Sequence, residues 1–114
     1  MWHLISRLMK SEATAIERTA QAQQEVDRQA QYLALYHFEG CPFCTRVRRV
    51  LQRLNVELAL HDINRDPEAR QALITGGGKK TVPCLRIERD GAITWLYESR
   101  DIIDYLEKRF AAIK

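Results

Sequence analysis

Apolar residues recur along the chain in two different periods, and the change of period divides the sequence in two. Residues 1–31 contain no Gly or Pro and are rich in Ala, Gln, Glu and Arg, a composition that favours helix. The segment "TAIE", residues 14–17, fits a capping box, so that a helix could also restart there. We therefore predict an N-terminal helical extension over residues 1–31 and a compact domain over residues 32–114. The apolar positions of the extension lie close to helical spacing: Trp2, Ile5, Met9, Ala13, Ile16 and Ala20.

From residue 32 onwards, short apolar runs of strand length alternate with amphipathic helical patterns. The runs "QYLALYHF", "VELALHDI", "TVPCLRIE" and "AITWLYE" predict four strands. The sequence Arg89-Asp90-Gly91 between the last two runs predicts a hairpin turn, and "GGGKK", residues 76–80, predicts a flexible turn.

Three further segments predict helices. One follows residue 44, where apolar residues recur at i, i+3, i+4 and i+7. The second is "DPEARQALIT", with Asp66 as its N-cap and Pro67 at its first position. The third is "SRDIIDYLEKRF", with Ser99 as its cap.

The order of elements after the extension is β-α-β-α-β-β-α. A strand–helix–strand unit implies a parallel pair, and the later hairpin adds antiparallel strands. We therefore predict an α/β fold with a mixed four-stranded sheet flanked by helices, together with an extra N-terminal helix.

Charge and composition exclude several classes of protein. The net charge of +3 over 114 residues is only mildly basic. The stretch "RVRRVLQR", with Arg46, Arg48, Arg49 and Arg53, is interpreted as a solvated helix face, and no nucleic-acid partner is expected. We see no signal-peptide core and no apolar stretch of membrane-spanning length, so a cytoplasmic protein is expected.

Two of the three cysteines lie three positions apart, in "CPFC" between the first predicted strand and the helix that follows. Pro42 is favoured at the first helical position, which makes Cys41 the N-cap. The sulfur of Cys41 then faces unpaired backbone N–H groups and the positive end of the helix dipole, and both favour a thiolate. Cys44 lies one turn further on the same side, as expected for a resolving thiol. A thiolate is the species that attacks disulfides.

Two other interpretations of the cysteine pair stay open at this point. The pair could be half of a zinc site, which usually needs four ligands, and the remaining candidates are Cys84, His37 and His61. The spacing could also be a coincidence. An odd number of cysteines does not resemble a secreted disulfide framework, so redox chemistry in a reducing compartment is favoured.

The chain resembles a glutaredoxin of the thioredoxin-like fold over roughly residues 32–113. The resemblance depends on "CPFC" between strand and helix, on "TVPCL" (81–85) opening a later strand, and on "YESRDIIDYL" (97–106) entering the last helix. It is especially similar to the glutathione S-transferase-like glutaredoxins. The resemblance implies a thioredoxin-like fold with glutathione as the bound thiol.

The resemblance also implies a set of binding residues. Pro83 matches the family's cis-proline, which leaves the backbone of Val82 free to pair with an extended thiol peptide. Glu98 and Ser99 match the pair that holds the γ-glutamyl end of glutathione. Phe38 stands where many glutaredoxins have a lysine, and Glu39 follows it. The glycine carboxylate of glutathione is therefore expected to bind Lys80, with Lys79 and Arg46 as alternatives. Cys84 is expected to be a buried apolar residue.

Three functional hypotheses follow. The leading one is a glutathione-dependent thiol–disulfide oxidoreductase with Cys41 and Cys44 as catalytic residues, acting on glutathionylated or disulfide-containing proteins. The second is a carrier of an iron–sulfur cluster that is shared by two protomers and two glutathiones. The third is a redox module that contacts a membrane or a partner through residues 1–31, for which packing on the domain itself or on a second copy is the favoured alternative.

Overall fold

The computed structural model describes residues 15–114, and the expectations for residues 1–14 lie outside the described residues. All four strands and three helices predicted after residue 32 are present in the predicted order. Their bounds, with those of the helix that precedes them, are α1 Ala20–Ala30, β1 Leu33–His37, α2 Pro42–Leu54, β2 Ala59–Asp62, α3 Pro67–Ala72, β3 Cys84–Arg89, β4 Ala92–Tyr97 and α4 Ser99–Phe110.

The four strands form one mixed sheet in the order β2-β1-β3-β4. Strand β1 is parallel to β2 and antiparallel to β3, and β3 is antiparallel to β4. The prediction of a mixed four-stranded sheet flanked by helices is therefore confirmed. In register, Cys84 lies opposite Tyr36 on one side and opposite Tyr97 on the other. The end of β1, the start of β3 and the end of β4 therefore meet at one end of the sheet.

The central strand β1 is buried on both faces. Leu33 and Leu35 point into a core cluster with residues of α1, α2 and α4, while Ala34 and Tyr36 belong to a second cluster with α3. This alternation is the period-2 pattern of a strand covered on both sides. The strand that leads to the cysteine pair is thus held by helices from both faces.

Three turns or helix ends were predicted from local sequence signals. Two of these predictions are confirmed, and one is wrong. The Asp66 side chain accepts bonds from the N–H groups of Glu68 and Ala69, at 3.0 and 3.2 Å, and Pro67 is the first helical residue. Asp90 and Gly91, both at positive φ, form the two-residue hairpin loop. The cap prediction for Ser99 is wrong, because Ser99 is the first residue of α4 and Glu98 occupies the N-cap position.

The glycine run after α3 is not a flexible turn. Residues 73–77 form a π-helical turn that continues α3, and only Gly78 leaves it, at φ 90°. A Cβ atom added to Gly76 would overlap the indole of Trp95, and one added to Gly77 would overlap the Tyr97 hydroxyl. Two of these glycines are therefore needed for close packing against β4 rather than for mobility.

The described part of the extension packs on the domain. Helix α1 begins at Ala20, where the Thr19 hydroxyl accepts a bond from the N–H of Ala22, so the predicted restart over residues 14–17 is wrong for residues 15–17. The reason is that the preceding backbone is engaged elsewhere: the N–H of Ile16 donates to the carbonyl of Arg53 at 2.8 Å. Val26, on α1, is fully buried in the first core cluster.

Arg18 fixes this segment to the end of α4. Its guanidinium donates to the carbonyls of Phe110 and Ile113, at 2.9 and 2.6 Å. The last carbonyls of a helix have no intrahelical donor, so a cation here satisfies them and matches the negative end of the helix dipole.

Candidate active site

Cys41 is the N-cap of helix α2, as predicted, and Pro42 follows at the first helical position. The N–H of Cys44 donates to the Cys41 sulfur at 3.3 Å. The side chains of the two cysteines are also hydrogen-bonded to each other. The Cys41 sulfur thus accepts a backbone N–H at the positive end of a helix.

Cys44 is fully buried behind Cys41. The pKa of Cys44 is raised to about 12, first by burial and second by the hydrogen bond to Cys41. A backbone hydrogen bond at Phe38 and the positive charge of Arg48 act in the opposite direction. Cys44 is therefore held in the protonated form. Both are free thiols in this structure.

A polar network behind the cysteine pair was not predicted from the sequence. One terminal nitrogen of Arg48 lies 2.9 Å from Nδ1 of His37, and the other donates to the Thr45 hydroxyl at 3.0 Å. The Thr45 hydroxyl in turn donates to the carbonyl of Cys41 at 3.1 Å. The interpretation of Arg48 as part of a solvated face is therefore wrong. The i, i+4 spacing from Cys44 is the signal that could have identified it.

His37 is the only buried polar or charged side chain among residues 15–114. A guanidinium can only donate, so Nδ1 of His37 is the acceptor and the imidazole is neutral in this arrangement. Burial and the nearby Arg48 both lower the pKa of His37. The sequence suggested His37 only as a possible metal ligand.

The peptide bond between Val82 and Pro83 is cis, as the resemblance implies. Within residues 15–114, no backbone–backbone hydrogen bond involves Val82, which precedes β3. Its N–H and carbonyl are therefore available for an extended ligand.

Cys84 follows Pro83 in the chain and is fully buried in the second core cluster, as expected. Burial raises the pKa of its thiol to about 12. The environment is that of an inert structural cysteine.

Glu98 has an unusual backbone conformation for a residue with a side chain, with φ 75° and ψ 115°. It stands at the N-cap of α4, its side chain is exposed, and it makes no capping hydrogen bond. Ser99 is half-buried at the first helical position. Strained backbone at a non-glycine residue concentrates at functional sites. Since β4 ends at Tyr97, the pair lies at the end of the sheet where the cysteine loop begins.

Three basic residues are the candidate partners of a ligand carboxylate: Lys80, Lys79 and Arg46. Lys80 is exposed in the loop before Val82. Within residues 15–114, no hydrogen bond or ion pair joins Lys80 to Cys41, Val82, Glu98 or Ser99. The Lys79 ammonium lies 4.6 Å from the ring centroid of Tyr97, and the Arg46 guanidinium lies 5.6 Å from that of Phe43. Phe43 itself is 55% exposed beside Cys41.

Across residues 15–114, no group of three or more His, Cys, Asp or Glu side chains is arranged to hold a metal ion. In the same range, no helix combines the length and apolar character that crossing a membrane requires.

The mixed four-stranded sheet, the helix that begins at CPFC and the cis-proline before β3 define a thioredoxin-like fold. Residues 35–113 match the family model of the glutathione S-transferase N-terminal domain. The chain belongs to this family.

The comparisons also relate the chain to glutaredoxins. It is 31% identical to glutaredoxin 2 of Escherichia coli K12 over 77 residues, which are 67% of this chain and 33% of that protein. The chain thus spans about a third of the length of this curated relative. The structure of a wheat glutaredoxin superimposes with a TM-score of 0.52 at 23% identity, covering 78% of this chain and 80% of the wheat chain, which confirms the fold.

A solved structure with a bound ligand is also similar. The maleylacetoacetate isomerase of Anaeromyxobacter dehalogenans, solved with glutathione in its active site, is 26% identical with a TM-score of 0.56. The match covers 74% of this chain and 40% of the isomerase.

Proposed function

We propose that this protein is a glutathione-dependent thiol–disulfide oxidoreductase that reduces protein–glutathione mixed disulfides and protein disulfides. The observation that carries the proposal is the Cys41 sulfur, which caps α2 and accepts the Cys44 N–H at 3.3 Å. A thiolate so placed is a nucleophile, and a second thiol contacts it directly. Similarity to glutaredoxin 2 supports the same chemistry.

The first step is an exchange at a mixed disulfide. The Cys41 thiolate attacks the glutathione sulfur, a Cys41–glutathione disulfide forms, and the protein thiolate leaves and takes up a proton. A second glutathione thiolate then attacks the bound glutathione sulfur. Oxidised glutathione leaves, and the Cys41 thiolate is restored. Overall, one glutathione thiolate and one proton convert the mixed disulfide into a protein thiol and oxidised glutathione, so the disulfide bond passes from the substrate to glutathione.

Four residues are proposed to bind glutathione: Val82, Glu98, Ser99 and Lys80. The Val82 backbone, next to Pro83, would pair with the peptide of the ligand. The Glu98 carboxylate would take its ammonium group, while the Ser99 hydroxyl and the α4 N-terminus would take its γ-glutamyl carboxylate. Lys80 would take the glycine carboxylate.

Cys44 has a separate role in the reduction of protein disulfides. After Cys41 forms a mixed disulfide with a substrate protein, Cys44 attacks the Cys41 sulfur, which releases the second substrate thiol and leaves a Cys41–Cys44 disulfide. Glutathione then reduces that disulfide. Glutathionylated and disulfide-containing proteins of the cytoplasm are the proposed substrates.

The experiment that tests the proposal is a glutathione-coupled assay on a small glutathionyl mixed disulfide, such as that of cysteamine. Turnover that depends on both the protein and glutathione supports the reaction and the reductant together. Turnover only with a thioredoxin-type reductase would overturn the choice of glutathione, and no turnover with either would overturn the reaction.

A further inference from the structure

His37, Arg48 and Thr45 form a hydrogen-bonded bridge from strand β1 to helix α2. The Arg48 guanidinium contacts Nδ1 of His37 and the Thr45 hydroxyl at the same time. Because both contacts use its terminal nitrogens, the planar head of the arginine is held in one orientation. The Thr45 backbone and hydroxyl both donate to the Cys41 carbonyl, at 3.0 and 3.1 Å. The bridge therefore ends on the first turn of the active-site helix.

Spacing along the helix puts Arg48 on the same face of α2 as the resolving thiol. Arg48 follows Cys44 by four residues, and side chains at that spacing are neighbours on a helix surface. Glu39, the acidic residue before the cysteine pair, is exposed, whereas Arg48 is half-buried. A charge screened by less water acts more strongly on a buried sulfur.

We propose that Arg48 is a positioning residue for the dithiol step, which holds a positive charge against Cys44 so that this thiol can ionise and attack the Cys41 mixed disulfide. The inference rests on the proposed function. In this role His37 is the acceptor that fixes the guanidinium, and Arg48 contacts no reacting atom of the first exchange at Cys41.

The charge balance at Cys44 explains why the step needs such help. Burial and the hydrogen bond to Cys41 disfavour the Cys44 thiolate, and the favourable groups are the Phe38 backbone and Arg48. When Cys41 is joined to a substrate, its sulfur no longer carries a charge. The attack then requires one proton to leave Cys44, one sulfur–sulfur bond to form between the cysteines, and the substrate thiolate to depart with the bonding electron pair.

Two variants and a matched control test the proposal on the full chain. Arg48→Met removes the charge, Arg48→Lys keeps the charge but loses the two-pronged contact, and Arg49→Met makes the same exchange at the exposed neighbouring arginine. The readout is the pH–rate profile for single-turnover release of a thiol from a protein disulfide, measured beside deglutathionylation of a small mixed disulfide.

Arg48→Met is expected to slow dithiol release about tenfold near neutral pH and to move its profile to higher pH, since each pKa unit changes the thiolate fraction tenfold. The deglutathionylation rate of Arg48→Met should fall much less than its dithiol-release rate. The dithiol-release rate of Arg48→Lys should lie between those of the parent and Arg48→Met. Arg49→Met should match the parent in both assays. The proposal is overturned if Arg48→Met keeps the parent profile, or if it slows both reactions equally. An inactive parent would instead count against the proposed function, so the two failures are distinguishable.

Discussion

Nδ1 of His37 lies 2.9 Å from a terminal nitrogen of Arg48, and this contact joins the end of β1 to the helix that carries the cysteine pair. A neutral histidine accepts this bond and a protonated one cannot. The contact therefore makes the stability of the domain depend on pH in the range where histidine titrates.

The direction of this dependence follows from the lowered pKa of His37. Unfolded His37 takes up a proton near its ordinary value of 6.5, whereas the folded protein resists doing so until a lower pH. The contribution of this contact to stability is therefore fully present above pH 6.5. It is lost as the pH falls through the lower pKa of folded His37. The charged or titratable groups acting on His37 are Arg48, Asp62, Glu39 and His61.

His37→Asn tests this assignment, because its amide oxygen can accept from Arg48 but does not titrate. The free energy of unfolding, measured with urea between pH 5 and 7.5, should depend less on pH in His37→Asn than in the parent. Equal slopes for the parent and His37→Asn would contradict the assignment.

Gly77 packs against the Tyr97 hydroxyl, with no room for a Cβ atom. Gly77→Ala should lower the free energy of unfolding by about 1–3 kcal/mol, because the added methyl must displace Tyr97 or the π-helical turn. Gly40→Ala is the control, since a Cβ there meets nothing within 4 Å. Equal denaturation midpoints for the two variants would show that the turn is not packed in this way.

Arg18 holds the extension to the end of α4 through two carbonyls. Arg18→Met should cost about 1–3 kcal/mol of unfolding free energy, since partly buried carbonyls lose charged donors. Arg70→Met, the same exchange at an exposed position on α3, should stay within about 0.5 kcal/mol of the parent. A parent-like midpoint for Arg18→Met would mean that the extension is attached by Val26 and its apolar neighbours alone.

Glu98 is the proposed partner of the ligand's ammonium group. Glu98→Gln keeps the shape of the side chain and removes its charge, so the affinity for glutathione should weaken about tenfold, as expected when a charged hydrogen bond is lost. Glu57→Gln is the control, because Glu57 is exposed and precedes β2, at the opposite end of the sheet. Calorimetric titration with glutathione compares the two, and equal affinities would remove Glu98 from the site.

Much of the fold is encoded locally and was predictable. Alternation and helical spacing predicted the four strands and the three helices after residue 32, and Asp66 and Pro67 predicted a helix start from side-chain chemistry alone. The cysteine geometry also followed from Pro42, because a proline at the first helical position fixes the preceding residue as the cap.

What could not be predicted depends on contacts between distant segments. Gly76 and Gly77 resemble a flexible turn in sequence, and only their contacts with β4 show why glycine is needed there. Arg48 looks solvated until His37, eleven residues earlier, is placed beside it by the strand–helix packing. The non-helical path of residues 15–19 likewise depends on Arg53, far along the chain.

The most direct test of the central claim compares Cys41→Ser with Cys44→Ser in the glutathione-coupled assay on a small glutathionyl mixed disulfide. The account predicts that Cys41→Ser loses turnover, because the capping sulfur is the nucleophile, and that Cys44→Ser retains it while losing the reduction of protein disulfides. Turnover that survives in Cys41→Ser and disappears in Cys44→Ser would contradict the account.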